Sequence, residues 1–277
     1  MTASVPLAAV IGDPIGHSKS PLLHGFWLRA YQISGHYVPL HVTSGDLGQV
    51  LAAMQRMGFV GANVTIPHKE TVLELADIVT DRARAIGAAN TLTFHKDGKI
   101  EADNTDGHGF LANIQQNAPA FDAKDGPAVI LGAGGAAKAV IYALLEAGAP
   151  QVRVLNRNLD RAKNLSARFG DRVSVHEMSD LPNLLGDCNL LVNTTSLGMI
   201  GQPPLAVDLS NLPKTAVVND IVYAPLETDL LKQARAMGAG AVDGLGMLLH
   251  QAAPGFAKWF GKEPAVTDEL RRAVLAK

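Results

Sequence analysis

A run of small residues between an apolar segment and a helix-forming segment constrains the fold of this chain more than any other feature. Gly132, Gly134 and Ala137 have the G-x-G-x-x-G/A spacing at the end of the apolar segment Ala128–Gly132. In that pattern the first glycine makes a tight turn, the second lets the backbone approach a pyrophosphate, and the last small residue lets helix pack closely on strand. Amide groups at the start of the helix attract phosphates. The segment therefore predicts a strand, a phosphate-binding loop and a helix.

Further apolar runs follow this loop and alternate with amphipathic stretches, as in βαβ units. An isolated glycine pattern also fits an ordinary strand-to-helix turn, but the correct placement of the neighbouring strands favours dinucleotide binding. Six strands are what a doubly wound Rossmann sheet requires. They are predicted over Ala128–Gly132, Val152–Asn156, Val173–Val175, Cys188–Asn193, Ala216–Asp220 and Gly240–Gly244.

The residues about twenty positions after the glycine loop distinguish NAD from NADP, because an NAD enzyme has Asp or Glu there. The positions here are Asn156, Arg157, Asn158 and Arg161. Two guanidinium groups can bind a 2′-phosphate through bidentate, charge-assisted hydrogen bonds. The alternative is that both arginines are solvated at the start of an exposed helix, with Asp160 partly neutralising them. We predict NADP as the cofactor.

The first half of the chain shows the same alternation, which is typical of α/β folds. An Asp-Gly pair at Asp97 and Gly98 predicts a hairpin. Strands are predicted over Leu7–Ile11, His36–His41 and Gly61–Thr65, and helices over Pro21–Ser34, Gly45–Met57, Pro67–Val79 and Gly109–Gln116.

Two domains are predicted, because a single core usually stops growing at roughly 250–300 residues. The turn-rich segment Asn117–Gly126 indicates a boundary between the two sets of strands. The tail Leu245–Lys277 predicts two helices and no strand, so we expect it to pack on the first domain. The predicted fold class is α/β, with an N-terminal α/β substrate domain (1–106 with 245–277) and a Rossmann NADP-binding domain (107–244).

Charge and cysteine content narrow the classes of partner. The chain has 24 Lys and Arg against 26 Asp and Glu and no basic run, which argues against nucleic acid or an anionic membrane surface. Cys188 is the only cysteine, and the N-terminus lacks the pattern of a secretory signal. The nine histidines show no metal-ligand spacing. We therefore expect a cytoplasmic protein with a small-molecule partner, no metal, no nucleic acid and no membrane span.

Polar clusters at the predicted strand ends of the first domain are candidates for chemistry, since ligands of open α/β sheets bind outside the carboxyl ends of strands. The clusters are GHSKSP (Gly16–Pro21), NVTIPHK (Asn63–Lys69), GAANT (Gly87–Thr91) and DNTDG (Asp103–Gly107). Each also has a plain structural interpretation. Ser18 and Ser20 fit helix caps, Lys69 fits a solvated lysine in a first helical turn, and Asp106 fits a cap.

These clusters, followed in order by GAGGAA, NRN, NTTSLGM, NDIVYAPLET and GLGMLLHQAA, closely resemble the shikimate dehydrogenase family over nearly the whole chain. The resemblance implies reversible, NADPH-dependent reduction of 3-dehydroshikimate to shikimate, in the pathway to chorismate and aromatic amino acids. It further implies that Lys69 and Asp106 are the catalytic pair. Lys69 would hydrogen-bond the oxygen that becomes negative and supply a proton, and Asp106 would orient the ammonium group and a substrate hydroxyl.

The resemblance also implies the binding residues. Ser18, Ser20 and Tyr223 would surround the substrate carboxylate, while Thr65, Asn90 and Gln251 would join the catalytic pair around the ring hydroxyls. Without the resemblance, Tyr223 and Gln251 would be taken for ordinary core or helix residues. The implied cofactor-binding residues are Gly132, Ala133, Gly134, Gly135, Ala136, Asn156, Arg157, Asn158, Arg161, Ile221 and Gly244.

Two positions depart from the family pattern. His68 stands where many relatives have Phe or Asn, and we expect it to alter only packing, although its position next to Lys69 also suggests a proton relay. Asn158 stands where many NADP-using relatives have Thr or Ser, which removes a hydroxyl contact to the 2′-phosphate while leaving an amide donor.

Other functions remain open at this point. A quinate/shikimate dehydrogenase with relaxed cofactor use has the same architecture, but Arg157 without a neighbouring acid and both serines of GHSKSP favour the biosynthetic type. A methylene-tetrahydrofolate dehydrogenase would not be expected to carry GHSKSP and DNTDG together. A non-catalytic NADPH-binding sensor is disfavoured by the intact Lys69 and Asp106. A homodimer is expected from the resemblance alone.

Overall fold

The computed structural model describes residues 5–276 and divides into two compact units. Unit 1 is Met1–Thr105 with Leu249–Lys277, and unit 2 is Asp106–Leu248. Each unit is built on one six-stranded sheet. The predicted fold class, α/β with a doubly wound Rossmann sheet in the second half, is confirmed.

Unit 1 contains a mixed sheet with the strand order β2-β1-β3-β5-β6-β4. Strand β1 lies between β2 and β3 and is parallel to both, whereas β5 runs antiparallel to β3 and β6. The strands are β1 Leu7–Gly12, β2 His36–His41, β3 Phe59–Val64, β4 Ile78–Val79, β5 Thr91–Phe94 and β6 Ile100–Asp103. The helices are α1 Ser20–Ala30, α2 Leu47–Arg56, α3 Val72–Leu75 and α4 Asp81–Ile86. The hairpin predicted at Asp97 and Gly98 is confirmed as the β5–β6 connection.

The helix predicted over Pro67–Val79 is wrong. Only the single turn α3 is helical there, and the last two residues form β4, which pairs in parallel with β6. The amide of Asp77 donates to the Ile100 carbonyl (2.9 Å), and the Asp77 carboxylate accepts from the Ile100 amide (2.8 Å). These bonds to a distant strand override the local helical periodicity.

The C-terminal tail packs against the sheet of unit 1. Residues from Leu249 onward in α10 (Leu245–Phe260), and α11 (Asp268–Leu275), belong to this unit. Trp259 is buried, and its indole Nε1 donates to the Leu92 carbonyl at 2.9 Å. Gly61 in β3 lies directly against this bond, because a Cβ there would overlap both Trp259 Nε1 and the Leu92 oxygen.

Gly61→Ala is therefore expected to lower the free energy of unfolding by about 1–3 kcal/mol, since the added methyl group overpacks this contact. Urea unfolding followed by tryptophan fluorescence measures the loss. Gly45→Ala is the matched control, because a Cβ at Gly45 meets no atom within 4 Å. Equal stability of the two variants would contradict the prediction.

Unit 2 has an all-parallel sheet with the order β12-β11-β10-β7-β8-β9, the doubly wound arrangement. All six strands predicted from residue 128 onward are confirmed. They are β7 Ala128–Leu131, β8 Val152–Leu155, β9 Val173–His176, β10 Leu190–Asn193, β11 Val217–Asp220 and β12 Gly240–Val242. The helices are α5 Asp106–Asn117, α6 Gly135–Glu146, α7 Leu159–Phe169, α8 Leu181–Leu184 and α9 Asp229–Ala236.

The turn-rich segment Asn117–Gly126 lies inside unit 2 rather than between the units. Helix α5 packs on α6 so closely that a Cβ at Gly107 would lie 3.0 Å from the Ala139 oxygen and from the Ala143 Cβ. The units end at Thr105 and Leu248, next to the predicted divisions after residues 106 and 244. Within residues 5–276, no helix is both long enough and apolar enough to span a membrane.

Candidate active site

The glycine loop connects β7 to α6 in unit 2. Gly132 has a positive φ of 108°, and a Cβ there would lie 2.8 Å from Thr194 Oγ1 and 2.9 Å from Thr195 Cγ2. Only glycine fits this turn without strain. Gly134 occupies the N-cap of α6, and Ala137 is fully buried against the sheet.

Space is open where a diphosphate would lie. A Cβ at Gly134 or Gly135 meets no atom within 4 Å, and the loop residues Ala133 and Ala136 are partly exposed. The amide groups of the first turn of α6 point out of a 12-residue helix, which attracts anions. The loop therefore fits the pyrophosphate of a dinucleotide.

The residues predicted to bind the 2′-phosphate lie between the end of β8 and the first turn of α7. Asn156 Nδ2 donates to the Asn158 carbonyl (2.7 Å), and Asn158 Oδ1 accepts from the Arg161 amide (3.1 Å), so Asn158 is the N-cap of α7. Arg157 and Arg161 are exposed, and neither forms a salt bridge within the described residues. Asp160 instead pairs with Lys163 at 3.5 Å. Both guanidinium groups are thus available to an anionic ligand.

The serines of GHSKSP lie at the start of α1 in unit 1. Lys19 occupies the N-cap, so neither serine stands at that position. Ser18 Oγ accepts from the Ser20 amide at 3.3 Å, and Ser20 is buried. Tyr37, which is also buried, donates from its Oη to Asn63 Oδ1 at 2.7 Å.

The segment NVTIPHK leaves β3 as a turn, so Lys69 is not a residue of a first helical turn. The Thr65 amide donates to the Ile11 carbonyl (2.9 Å), and the Lys69 carbonyl accepts from the Ala89 amide (2.7 Å). Both backbone bonds fix partly exposed side chains at the carboxyl end of the sheet. His68 is buried with its Nε2 2.7 Å from the Val42 carbonyl, which favours the packing interpretation over a proton relay.

Asn90 connects three segments of unit 1. Its Oδ1 accepts from the Thr105 amide (2.8 Å), and its Nδ2 donates to Gln251 Oε1 on α10 (3.0 Å). Thr91 Oγ1 also lies 3.0 Å from Thr105 Oγ1. Asn90 and Gln251 are both buried, so the structure brings together two predicted substrate contacts and the segment that leads into Asp106.

Asp103 anchors the DNTDG segment, a role that sequence reasoning missed. Its carboxylate accepts from Arg82 Nε (2.6 Å) and Thr80 Oγ1 (2.8 Å), and also from the Asn104 amide (2.8 Å). Burial acts to raise the pKa of Asp103, but the hydrogen bonds from Arg82 and Thr80 and the charges of Arg82 and Lys258 lower it to about 2. The sequence indicates this role only in that Asp103 is the last residue of a strand.

Asp103→Asn is expected to lower the free energy of unfolding at pH 7 by about 2 kcal/mol. The folded pKa lies below the unfolded value, so the stabilisation is complete above pH 4 and is lost as the pH falls toward 2. The difference from the unmodified chain should therefore shrink in urea unfolding at pH 3. Asp97→Asn, at the exposed hairpin, is the control. A difference in stability that stays constant with pH would mean that the ionised carboxylate of Asp103 is not its source.

Asp106 is the first residue of α5 and is buried. The partial positive charge at a helix N-terminus stabilises a carboxylate there. The division between the compact units falls immediately before this residue, so Asp106 belongs to unit 2.

The segment after β11 carries two more predicted residues. The Ile221 amide donates to the Asn193 carbonyl at 3.1 Å, and Tyr223 is half-buried, which raises the pKa of its phenol. A Cβ at Gly244 would overlap the carbonyl oxygens of Ile221 and Val222. Glycine at this position is therefore what allows the segment to lie against the end of β12.

Comparison with known proteins assigns the chain to a family. Three family models match, described as the shikimate dehydrogenase substrate binding domain (residues 10–92), shikimate / quinate 5-dehydrogenase (113–200) and the shikimate 5'-dehydrogenase C-terminal domain (244–275). The chain belongs to the shikimate dehydrogenase family. The resemblance stated from the motifs is confirmed.

Individual relatives of this shikimate dehydrogenase family member cover nearly its whole length. Shikimate dehydrogenase (NADP(+)) of Cereibacter sphaeroides is 62% identical over 272 residues, 98% of both chains. Shikimate 5-dehydrogenase of Thermus thermophilus, solved with NADP(H) and shikimate, has a TM-score of 0.86 at 34% identity over 99% of each chain. Quinate dehydrogenase of Corynebacterium glutamicum, solved with NAD, has a TM-score of 0.91 at 32% identity over 99% of each chain.

Proposed function

We propose that this chain catalyses the reversible, NADP-dependent oxidation of shikimate to 3-dehydroshikimate, a step of aromatic amino acid biosynthesis. The observation that carries the proposal is the buried Asn90 hydrogen-bond cluster, which joins Gln251 to the segment before Asp106. A polyhydroxylated acid requires many convergent hydrogen-bond donors and acceptors, and the amide and hydroxyl side chains of this cluster are groups of that type. The NADP(+)-dependent relative from Cereibacter sphaeroides supports the activity, the cofactor and the class of oxidoreductase acting on a CH–OH group.

Lys69 and Asp106 perform the proton chemistry in this proposal. NADPH, when bound, supplies the hydride that reaches the carbon of the ring ketone. The ketone oxygen then gains a pair of electrons and needs a proton. Lys69 hydrogen-bonds that oxygen and donates the proton, so the carbonyl becomes a CH–OH group. Asp106 orients the ammonium group and a neighbouring hydroxyl, and the oxidation of shikimate reverses each transfer.

Substrate and cofactor are held by different parts of the chain. Hydroxyl groups, which both donate and accept, suit a carboxylate and ring hydroxyls. The substrate contacts are Ser18, Ser20, Thr65, Lys69, Asn90, Asp106, Tyr223 and Gln251. For the cofactor, the loop 132–136 would take the pyrophosphate, the segment 156–161 would take the 2′-phosphate, Ile221 would lie beside the nicotinamide, and Gly244 would be a further contact. Residues 1–106 with 245–277 then form the substrate domain, and residues 107–244 form the NADP domain.

A quinate dehydrogenase is the second candidate, since such an enzyme has a TM-score of 0.91 to this chain. A panel of shikimate and quinate against NADP⁺ and NAD⁺, with A340 as the readout, separates the candidates. We expect the highest kcat/KM for shikimate with NADP⁺. Faster turnover of quinate would reject the biosynthetic assignment, and NADPH binding without any turnover would indicate a sensor.

The proposal extends to assembly and location. We expect a homodimer in the cytoplasm. The edge strand β2, with Val38 exposed, leaves backbone groups open for pairing with a second copy. Light scattering coupled to size exclusion measures the mass, and cell fractionation measures the location. A monomer at micromolar concentration, or the protein in a membrane fraction, would contradict this part.

A further inference from the structure

Two buried polar residues end neighbouring strands of the unit 2 sheet. Asn193 is the last residue of β10 and Asp220 is the last residue of β11, and the two are in register across the parallel pair. Asn193 Nδ2 donates to Asp220 Oδ1 at 2.9 Å, and both residues are fully buried. In doubly wound sheets the carboxyl ends of the strands form the floor of the ligand crevice. The Asn193–Asp220 pair therefore lies in the floor of that crevice.

The remaining bonds of Asp220 go to the segment that follows it, residues 221–228. Asp220 Oδ1 also accepts from the Val222 amide (3.1 Å), and Oδ2 accepts from Thr228 Oγ1 (2.7 Å). The carboxylate thus ties down the second residue and the last residue of the segment. Ile221 and Tyr223, the proposed nicotinamide and substrate contacts, lie inside the tied stretch.

Asn193 makes the equivalent connection on the neighbouring strand. Its Oδ1 accepts from the Thr195 amide (3.0 Å) and hydroxyl (2.7 Å), and its Nδ2 lies 3.2 Å from the Leu197 carbonyl. Thr194 Oγ1 donates to the Leu131 carbonyl (2.7 Å), directly before the glycine loop. The side chains of Asn193, Thr194 and Asp220 therefore connect the ends of β7, β10 and β11 by hydrogen bonds.

We infer that Asp220 is a positioning residue, whose carboxylate holds residues 221–228 in the conformation that presents Ile221 to the nicotinamide and Tyr223 to the substrate. The inference rests on the proposed function for the roles of those two residues. Asp220 acts by accepting hydrogen bonds from three donors, the Asn193 amide group, the Val222 amide and the Thr228 hydroxyl. A buried donor that loses its acceptor is costly, so the segment moves when the carboxylate is removed.

Asparagine separates hydrogen bonding from charge at this position. In Asp220→Asn the side-chain oxygen still accepts from Val222 and Asn193, and the new amide group donates to Thr228 Oγ1, which is able to accept. In Asp220→Ala all three bonds are lost. A role in shape therefore predicts that the asparagine variant resembles the unmodified chain, whereas a role in charge predicts that it resembles the alanine variant.

The experiment compares these two variants with Asp208→Ala, an exposed aspartate of the same unit. Hydrogen exchange of a peptide covering residues 221–228 should become about tenfold faster in Asp220→Ala, because the Val222 amide has lost its acceptor. Exchange of residues 152–155 in β8, which pairs with neither β10 nor β11, serves as the internal reference and should not change. In the same variant kcat with shikimate should fall at least about tenfold. The Kd of 2′,5′-ADP, which lacks the nicotinamide, should stay within about twofold.

Asp220→Asn should restore exchange and kcat to within about threefold of the unmodified chain. An asparagine variant as impaired as the alanine variant, or an alanine variant with unchanged kcat, would overturn the inference. If Asp220→Ala does not fold, Thr228→Val replaces it, with Thr228→Ser as its rescue, and unchanged exchange of residues 221–228 in the valine variant would equally overturn it. Failure of the proposed function would be seen separately, as no turnover of shikimate by the unmodified chain.

Discussion

Lys69→Ala is expected to lower kcat for shikimate oxidation by about 10²–10⁴-fold, the usual contribution of general acid–base catalysis by one side chain. The ammonium group of Lys69 donates the proton to the oxygen during reduction, and in the reverse direction the neutral amine that this donation leaves accepts the hydroxyl proton of shikimate. A methyl group does neither. Steady-state turnover of shikimate with NADP⁺, and of NADPH with 3-dehydroshikimate, should both fall, because the two directions pass through one transition state.

The fold of this variant should be unchanged. Lys69 lies in a turn, and the bond that fixes its backbone runs from the Ala89 amide to the Lys69 carbonyl, which alanine keeps. Urea unfolding should therefore remain a single cooperative transition, with the variant folded under the conditions of the assay. Lys99→Ala is the matched control, because Lys99 lies at the exposed hairpin beside Asp97. A kcat for Lys69→Ala equal to that of the control would remove Lys69 from the reaction.

The centre of the Rossmann sheet was predictable because β7, β10 and β11 are buried along their whole length. Strands of this kind appear in the sequence as short continuous apolar runs, and the runs here end at a glycine or a polar residue, namely Gly132, Asn193 and Asn219. The glycine loop added a second local signal, since the positive φ at Gly132 belongs to the turn itself, although the clearance there depends on the distant Thr194 and Thr195. Local signals failed for residues 67–79, where bonds from Asp77 to Ile100 decide the structure.

The partners of the site residues were not predictable, because the chain brings them together over long separations. Asn90 and Gln251 are 161 positions apart, and Lys258 and Asp103 are 155 apart. The motifs indicated which loops carry chemistry, but no spacing indicates that Asn90 holds the Thr105 amide. Asp103 and Asp220 were missed for the same reason. An aspartate at the end of a strand fits a ligand contact and an anchor equally well until its donors are known.

Arg157→Ala is expected to raise the KM for NADP⁺ by roughly 10–100-fold, since a hydrogen bond to a charged group contributes about 1.5–3 kcal/mol. The KM for NAD⁺, which has no 2′-phosphate, should change by less than about twofold. The exposed Arg157 side chain has no salt-bridge partner among the described residues, so its removal leaves no buried charge unpaired. Steady-state kinetics with both cofactors at saturating shikimate measures the ratio.

Arg161 should act in the same direction, because it lies in the first turn of α7, four residues after Arg157, and Asp160 pairs with Lys163. The variant that lacks both Arg157 and Arg161 should therefore discriminate less between NADP⁺ and NAD⁺ than Arg157→Ala does. Arg168→Ala, near the other end of α7, should keep the full preference for NADP⁺. Salt screens the attraction between the arginines and the 2′-phosphate, which gives an independent test. Raising the salt concentration should increase the KM for NADP⁺ in the unmodified chain and much less in the double variant. Equal effects of Arg157→Ala on both cofactors would mean that this arginine does not read the 2′-phosphate, and the preference for NADP would then have to come from another part of the loop.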